Sequence, residues 1–158
     1  MHFSIRKIAP DDIGSILAML QEFAVFENLS DYCTVTEQRL YDAMFGPGSV
    51  VEGLIVFDEE TPIAYAIFFP SFASFKGERG MFLEDLYVKA EYRGKSIGKE
   101  LLKEVARISA ARGGERIDFH VLEWNRHAVE FYQKLGAIRS EDERHFKFAR
   151  DAFSALAS

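Results

Sequence analysis

One cysteine, Cys33, stands among 158 residues, so the chain has no intrachain disulfide and no cysteine-rich metal centre. Cys33 has no histidine or basic residue beside it in sequence, and no thiol nucleophile is read there. The four histidines, His2, His120, His127 and His145, lack the spacing of metal ligands, so no metal is expected. Positive charge is also scarce. Nineteen Lys and Arg against 25 Asp and Glu leave a net charge of −6, which lacks the basic footprint that nucleic-acid binding needs. No apolar run approaches the roughly 20 residues of a bilayer span. Residues 1–7 lack the apolar stretch of a secretory signal. The expectation is a cytoplasmic protein with no membrane partner. Low-complexity segments, internal repeats and linkers are absent too, which predicts a single domain over 1–158.

Apolar residues make up 48% of the chain and charged residues 28%, the balance of a globular protein. Phe3 to Lys7 alternates and predicts a strand. Pro10-Asp11-Asp12 opens a helix whose apolar stripe is Ile13, Ile16, Leu17, Leu20, Phe23 and Ala24. Residues 26–31 lose the period and read as a loop. Thr36 caps a second helix, which runs toward Phe45 and stops at Gly46-Pro47-Gly48. Strands are predicted at Val50–Phe57 and Ile63–Phe69, joined as a hairpin. A loop follows over Ser71–Gly80, then a strand at Met81–Val88 and a helix at Ile97–Ala111. Ile117–Leu122 is the next strand. Asn125 caps a short helix from Arg126 to Leu135, closed by Gly136. Ala137–Arg139 and His145–Phe148 are expected to finish the sheet as a hairpin. The order predicts a mixed α/β (α+β) architecture, mostly antiparallel, with helices on both faces.

The most informative stretch runs from Glu84 to Leu102. An apolar strand leads through Tyr92-Arg93-Gly94-Lys95-Ser96-Ile97-Gly98-Lys99 into an amphipathic helix. The first turn of a helix has unpaired N–H groups and partial positive charge, so this order makes an anion site suited to a pyrophosphate. Two acids, Glu84 and Asp85, interrupt the apolar strand just upstream, where an unpaired charge is costly.

That turn, placed after the fourth strand, resembles the signature of the GNAT superfamily of acetyl-CoA-dependent N-acetyltransferases, Arg/Gln-x-x-Gly-x-Gly/Ala. Four blocks in order, Glu22–Asp31, Leu83–Val88, Trp124-Asn125 and Phe131–Ala137, narrow the resemblance to the branch of the spermidine/spermine and thialysine acetyltransferases. It covers about Ile5 to Phe148.

The resemblance implies the GNAT fold, with a seven-stranded sheet whose fourth and fifth strands splay apart. It implies acetyl transfer from acetyl-CoA, as cosubstrate, to a primary amine of a small cationic molecule by direct attack in a ternary complex. A free alkylammonium has a pKa of about 10 and no lone pair, so the reaction needs a base, donors for an oxyanion and a proton for the departing sulfur. By resemblance Glu84 is the base, acting through water, and Tyr132 the acid. Arg93, Gly94, Lys95, Ser96, Ile97, Gly98 and Lys99 cradle the CoA pyrophosphate. The backbone of Leu86, Tyr87 and Val88 pairs with pantetheine, and Asn125 and Lys134 reach CoA. Phe26, Glu27, Glu84 and Asp85 form the amine pocket, with Glu22 a weaker candidate.

Neighbouring strand residues point to opposite faces, so only one of Glu84 and Asp85 faces the slot unless a bulge intervenes. Asp85 is then a substrate ligand beyond a bulge or the partner of a lysine. Phe75 and Arg144 stand where polyamine-acetylating relatives carry aromatic residues. A fixed charge at Arg144 disfavours a long polycation and suits the carboxylate of an amino acid, which tilts the expectation toward a lysine-like or thialysine-like amine or a small diamine.

One departure is Ser96, which occupies the position of the signature's first glycine. Its Cβ would crowd the pyrophosphate or strain the turn, or its hydroxyl would donate one more hydrogen bond to phosphate; Arg93, Gly94 and Gly98, all in place, favour the second. The resemblance further implies a homodimer. A regulatory module that binds CoA with little turnover, and a protein or peptide N-acetyltransferase, are the alternative readings.

Overall fold

A computed structural model of the protein describes residues 2–158. The chain divides into two compact units, Met1–His120 and Val121–Ser158.

The first unit is a five-stranded sheet in the order β1-β2-β3-β4-β5. The strands are β1 (Phe3–Lys7), β2 (Glu52–Asp58), β3 (Thr61–Ala73), β4 (Glu78–Val88) and β5 (Arg116–Phe119). The first four pair antiparallel; β5 pairs parallel to β4. The parallel pair needs a crossover, which is α3 (Ile97–Ala111). Alternation sorts the strand residues between two cores. Leu54, Val56, Ala64, Ala66, Phe68, Met81 and Leu83 pack with Ile97, Leu101 and Val105 of α3. Ile55, Tyr65, Ile67 and Tyr87 pack on the other face with Ile13, Ile16 and Met19 of α1 (Ile13–Phe26) and with Leu40 and Met44 of α2 (Glu37–Phe45). Helices therefore cover both faces, as the periodicities predict. A 3-10 turn at Pro10–Asp12 leads into α1. Buried Asp12 fixes it to β1 by accepting two bonds from Arg6, 2.6 and 2.8 Å, and one from the Ala9 N–H, 2.7 Å.

The stretch expected as a long loop, Ser71–Gly80, is instead mostly strand. β3 and β4 stay in register out to Ala73↔Glu78, leaving residues 74–77 as the turn. Gly77, at φ 66°, makes that turn tight, and the ladder extends because each added pair satisfies backbone groups.

The second unit contains α4 (Arg126–Lys134) and α5 (Asp151–Ala157). Asn125 caps α4, accepting from the Ala128 N–H at 3.1 Å, and Gly136 ends it at φ 95°. The two strands expected at Ala137–Arg139 and His145–Phe148 are not formed, and α5 was not anticipated. The five-stranded sheet corrects the expected seven. Alternation makes a strand only where a sheet edge takes up its backbone and a face takes up its apolar side. Here Ile138, Phe146 and Phe148 are exposed, and charged Glu141–Arg144 lies between them. Among the described residues no helix is long and apolar enough to cross a membrane.

Candidate active site

The site is built on the second half of β4. The strand β5 stops at Phe119, opposite Leu83, so from Glu84 to Val88 one edge of β4 has no strand beside it among the described residues. The peptide geometry says which groups that edge presents. The Lys89 N–H bonds Ile63 O across to β3 at 3.0 Å, so the trans peptide turns the Val88 carbonyl away from β3. Alternation then presents the N–H and C=O of Leu86 and the N–H of Val88 at the open edge, where the Val88 carbonyl already accepts from Arg93, and spends those of Tyr87 on β3.

Register explains the two acids. Phe68 pairs with Leu83 but Ile67 pairs with Asp85, which leaves Glu84 as the extra residue of a β-bulge. The bulge reverses the parity of β4. Met81 and Leu83 belong to the α3 core before it, Leu86 and Val88 after it, and Tyr87 faces α1. Asp85 shares that α1-side face. It lies in the influence of Glu84 and of Glu27, the residue that ends α1. Three carboxylates thus meet where β4 bulges and α1 stops.

None of the three has an ion-pair partner among the described residues. The nearby lysine, Lys89, lies 3.9 Å from Glu22 instead. Burial, reinforced by the charges of Glu84 and Glu27, lifts the Asp85 carboxyl to about 7. Burial also raises Glu27, which sits at the negative end of the α1 dipole with no basic residue in the last turn. Glu84 is exposed. This arrangement opposes folding, and local rules broken without compensation mark functional sites.

Two phenols stand on the same face. Tyr87 stacks on Phe23 with centroids 5.2 Å apart and donates to Glu22 at 3.1 Å. Burial, together with that bond, pushes Tyr87 up to about 12. Glu22 is therefore a structural tie. Tyr65 pairs with Tyr87 across the ladder, its ring 6.0 Å away, and was not singled out in the sequence. Its one signal there is a hydroxyl in an otherwise apolar run, Ile63–Phe69.

The turn between β4 and α3 has the predicted form. Gly94 adopts φ 75° with open space where a Cβ would project. The first intrahelical bond of α3 runs from the Glu100 N–H to Ser96 O, 3.0 Å, leaving the N–H groups of Ile97, Gly98 and Lys99 ahead of it. Lys95 holds its ammonium 4.9 Å from the Tyr92 ring centroid. Arg93 donates from Nε to Val88 O at 3.0 Å and lays its guanidinium 4.4 Å from the Phe26 ring centroid. The chain's own arginine therefore covers the aromatic face expected to receive an amine.

Ser96 takes φ 63°, ψ 6°, the left-handed region, and its side chain caps nothing. A Cβ in that region costs on the order of 1 kcal/mol. Ser96→Gly is therefore expected to raise stability by about 1 kcal/mol, or Tm by about 2–4 °C, in a thermal melt. An unchanged or lower Tm would show that the turn bears no strain.

The family model for the Acetyltransferase (GNAT) family matches residues 17–137. The chain belongs to this family. It is an acetyltransferase, and the family uses acetyl-CoA as cosubstrate. The acetyltransferase is 33% identical to the thialysine N-epsilon-acetyltransferase of Bos taurus, over 97% of this chain and 96% of that one. It is 24% identical to the L-ornithine N5-acetyltransferase NATA1 of Arabidopsis thaliana, over 99% and 88%. Among solved structures, an integron cassette protein from the mobile metagenome of V. cholerae superposes with a TM-score of 0.83 at 23% identity, over 99% and 98%.

The open edge of β4 and the uncapped start of α3 fit the amide and diphosphate groups of acetyl-CoA. Asn125, Tyr132 and Lys134 lie in the second unit. Tyr132 is half-buried, its ring centroid 5.1 Å from that of Phe131, and Lys134 is exposed in the last turn of α4. Phe75 is fully exposed at the β3–β4 turn, and Arg144 donates to the carbonyls of Glu141 and Glu143 at 3.2 and 3.0 Å.

Proposed function

We propose that this acetyltransferase modifies the side-chain amine of a basic amino acid of the lysine, thialysine or ornithine type. The observation that carries the reading is the meeting of Glu27, Glu84 and Asp85, three unpaired carboxylates beside the open edge of β4. Such a cluster attracts an ammonium group and lowers the cost of bringing it out of water. The relatives that act on thialysine and ornithine support an amino acid, as does the positive charge at Arg144.

Leu86 and Val88 bind pantetheine through their backbones. Gly94, Lys95, Ser96, Ile97, Gly98 and Lys99 hold the diphosphate, with Arg93 bracing the turn. Asn125 and Lys134 are assigned to CoA by the resemblance to the family. When bound, acetyl-CoA supplies the acetyl thioester. The chain's residues then handle two protons. Exposed Glu84 passes the first, lost from the ammonium, through water to solvent. Asp85, whose carboxyl titrates at about 7, takes the second as nitrogen bonds to the acetyl carbon. Tyr132 gives a proton to the sulfur as the C–S bond breaks and recovers one from solvent. The net release is one proton per transfer. A homodimer acting in the cytoplasm belongs to the same reading, and the exposed Ile138, Phe146 and Phe148 are apolar surface that a second copy would cover.

A panel of amines with acetyl-CoA, read by thiol release, tests this. The panel comprises thialysine, lysine, ornithine, putrescine, spermidine and a peptide N-terminus. Thialysine, lysine or ornithine should give a kcat/KM at least about tenfold above spermidine. Preference for spermidine or the peptide would reject the amino-acid reading. Tight CoA binding with no thiol release from any amine would favour a regulatory module.

A further inference from the structure

Three buried side-chain oxygens find no hydrogen-bond partner among the described residues: those of Tyr65, Ser71 and Ser109. Buried polar groups are nearly always bonded, and each exception asks for a reason. Tyr65 has charged groups around it. The residue is 0% exposed, and its hydroxyl lies among Asp85, Glu27, Tyr87 and Cys33. It is near enough to the Asp85 carboxyl to favour the charged form, yet completes no bond to it. The contrast with Tyr87 is direct. The two phenols are cross-strand neighbours on one face; the Tyr87 hydroxyl reaches Glu22 at 3.1 Å, whereas the Tyr65 hydroxyl approaches the Asp85 carboxyl without completing a bond.

Ladder geometry puts Tyr65 and Asp85 on the same face as diagonal neighbours. Tyr65 opposes Tyr87, and Ile67 opposes Asp85. A long side chain spans that diagonal. The bulge at Glu84 brings this about, since without it Asp85 would point into the α3 core. A neutral primary amine carries two N–H bonds and one lone pair. It attacks a thioester only when the lone pair points at the carbonyl carbon. Two acceptors at fixed positions leave the lone pair a single direction.

We propose that the Tyr65 hydroxyl oxygen and the Asp85 carboxyl each accept one N–H of the reacting amine and thereby aim its lone pair. The proposal deepens the reading above and rests on it. Tyr65 is on this account a specificity-determining residue that touches substrate. As the N–C bond forms and the C–S bond breaks, the proton held toward Asp85 passes to that carboxylate. The proton held toward Tyr65 stays on nitrogen and becomes the amide N–H of the product. The pair also selects primary amines, because an N-methyl group in place of one N–H leaves an acceptor unpaired and meets the phenol.

The test is Tyr65→Phe, assayed with thialysine (or putrescine, if that is the amine turned over) beside its N-methyl derivative. The variant removes one oxygen and keeps the ring, so its melting temperature should equal or exceed that of the parent. With the primary amine, kcat/KM should fall about tenfold. The penalty for N-methylation should shrink at least about fivefold in the variant, since the lost oxygen both relinquishes the N–H and makes room. An unchanged kcat/KM for the primary amine, or an equal loss with both amines, would overturn the clamp; equal loss would mean that Tyr65 acts only by positioning Asp85. If the parent protein turns over no amine, the proposed function falls and takes the clamp with it.

Discussion

Replacing Asp85 with asparagine is expected to lower turnover by about 100- to 1,000-fold while making the protein more stable at alkaline pH. Both effects follow from a carboxyl held at about 7 by burial and by the charges of Glu84 and Glu27. The folded state keeps a proton on Asp85 at pH values where the unfolded chain, at its ordinary 3.8, has released it. Below about pH 4 both states are protonated and Asp85 costs nothing. Between pH 4 and 7 stability declines as pH rises, and above 7 the full penalty stands. One decade of proton affinity is worth about 1.4 kcal/mol, so with solvent screening the penalty at pH 8 is about 2–4 kcal/mol. Asparagine resembles the protonated acid and carries no penalty. Urea unfolding should therefore find Asp85→Asn more stable than the parent at pH 8 and equal to it at pH 4. In kinetics, kcat/KM of the parent should rise with pH through an inflection near 7, and the variant should lack that inflection. A variant that keeps both turnover and the inflection would return the base to Glu84 alone. Equal stability at pH 8 would mean that Asp85 is not held in an unfavourable place.

The sequence carried this site unevenly. The boundaries of α3 were legible because a helix start depends on neighbours, and the stripe from Ile97 to Ile108 is local. The mixed fold with helices on both faces was legible for the same reason. Which acid points inward was not, because parity on β4 depends on a bulge, and the bulge exists only in the register between Ile67-Phe68 and Leu83–Asp85. Tyr65 was illegible because an apolar strand does not reveal which aromatic ring ends in an unpaired hydroxyl. Arg93 read as one more charge for phosphate. Its partner, the Phe26 ring, is supplied by the end of a helix more than sixty residues away. The final two strands failed differently. Alternation at His145–Phe148 describes a segment that is able to pair, and pairing requires an edge that the local pattern does not specify.

Tyr132→Phe is expected to cut turnover by about 100- to 1,000-fold and to leave CoA affinity near normal. The reasoning separates ring from hydroxyl. Asn125 starts α4 through a bond to the Ala128 N–H, and Gly136 ends it. The Tyr132 carbonyl accepts from the N–H groups of both Leu135 and Ala137 at 3.0 Å, and its ring meets Phe131 edge-on. All of these survive the change to phenylalanine, so the cap, the helix end and the ring contact should persist. The change removes a donor whose ordinary pKa of about 10 keeps it protonated at neutral pH. A thiolate expelled without a proton is a poorer leaving group, so the loss should appear in kcat more than in KM. Acyl donors whose thiols are more acidic should narrow the gap, since they need the proton less. That narrowing distinguishes a general acid from a residue that merely shapes the site, for which every donor would suffer alike. Activity equal to the parent would assign the proton to water and leave Tyr132 as a packing residue of α4.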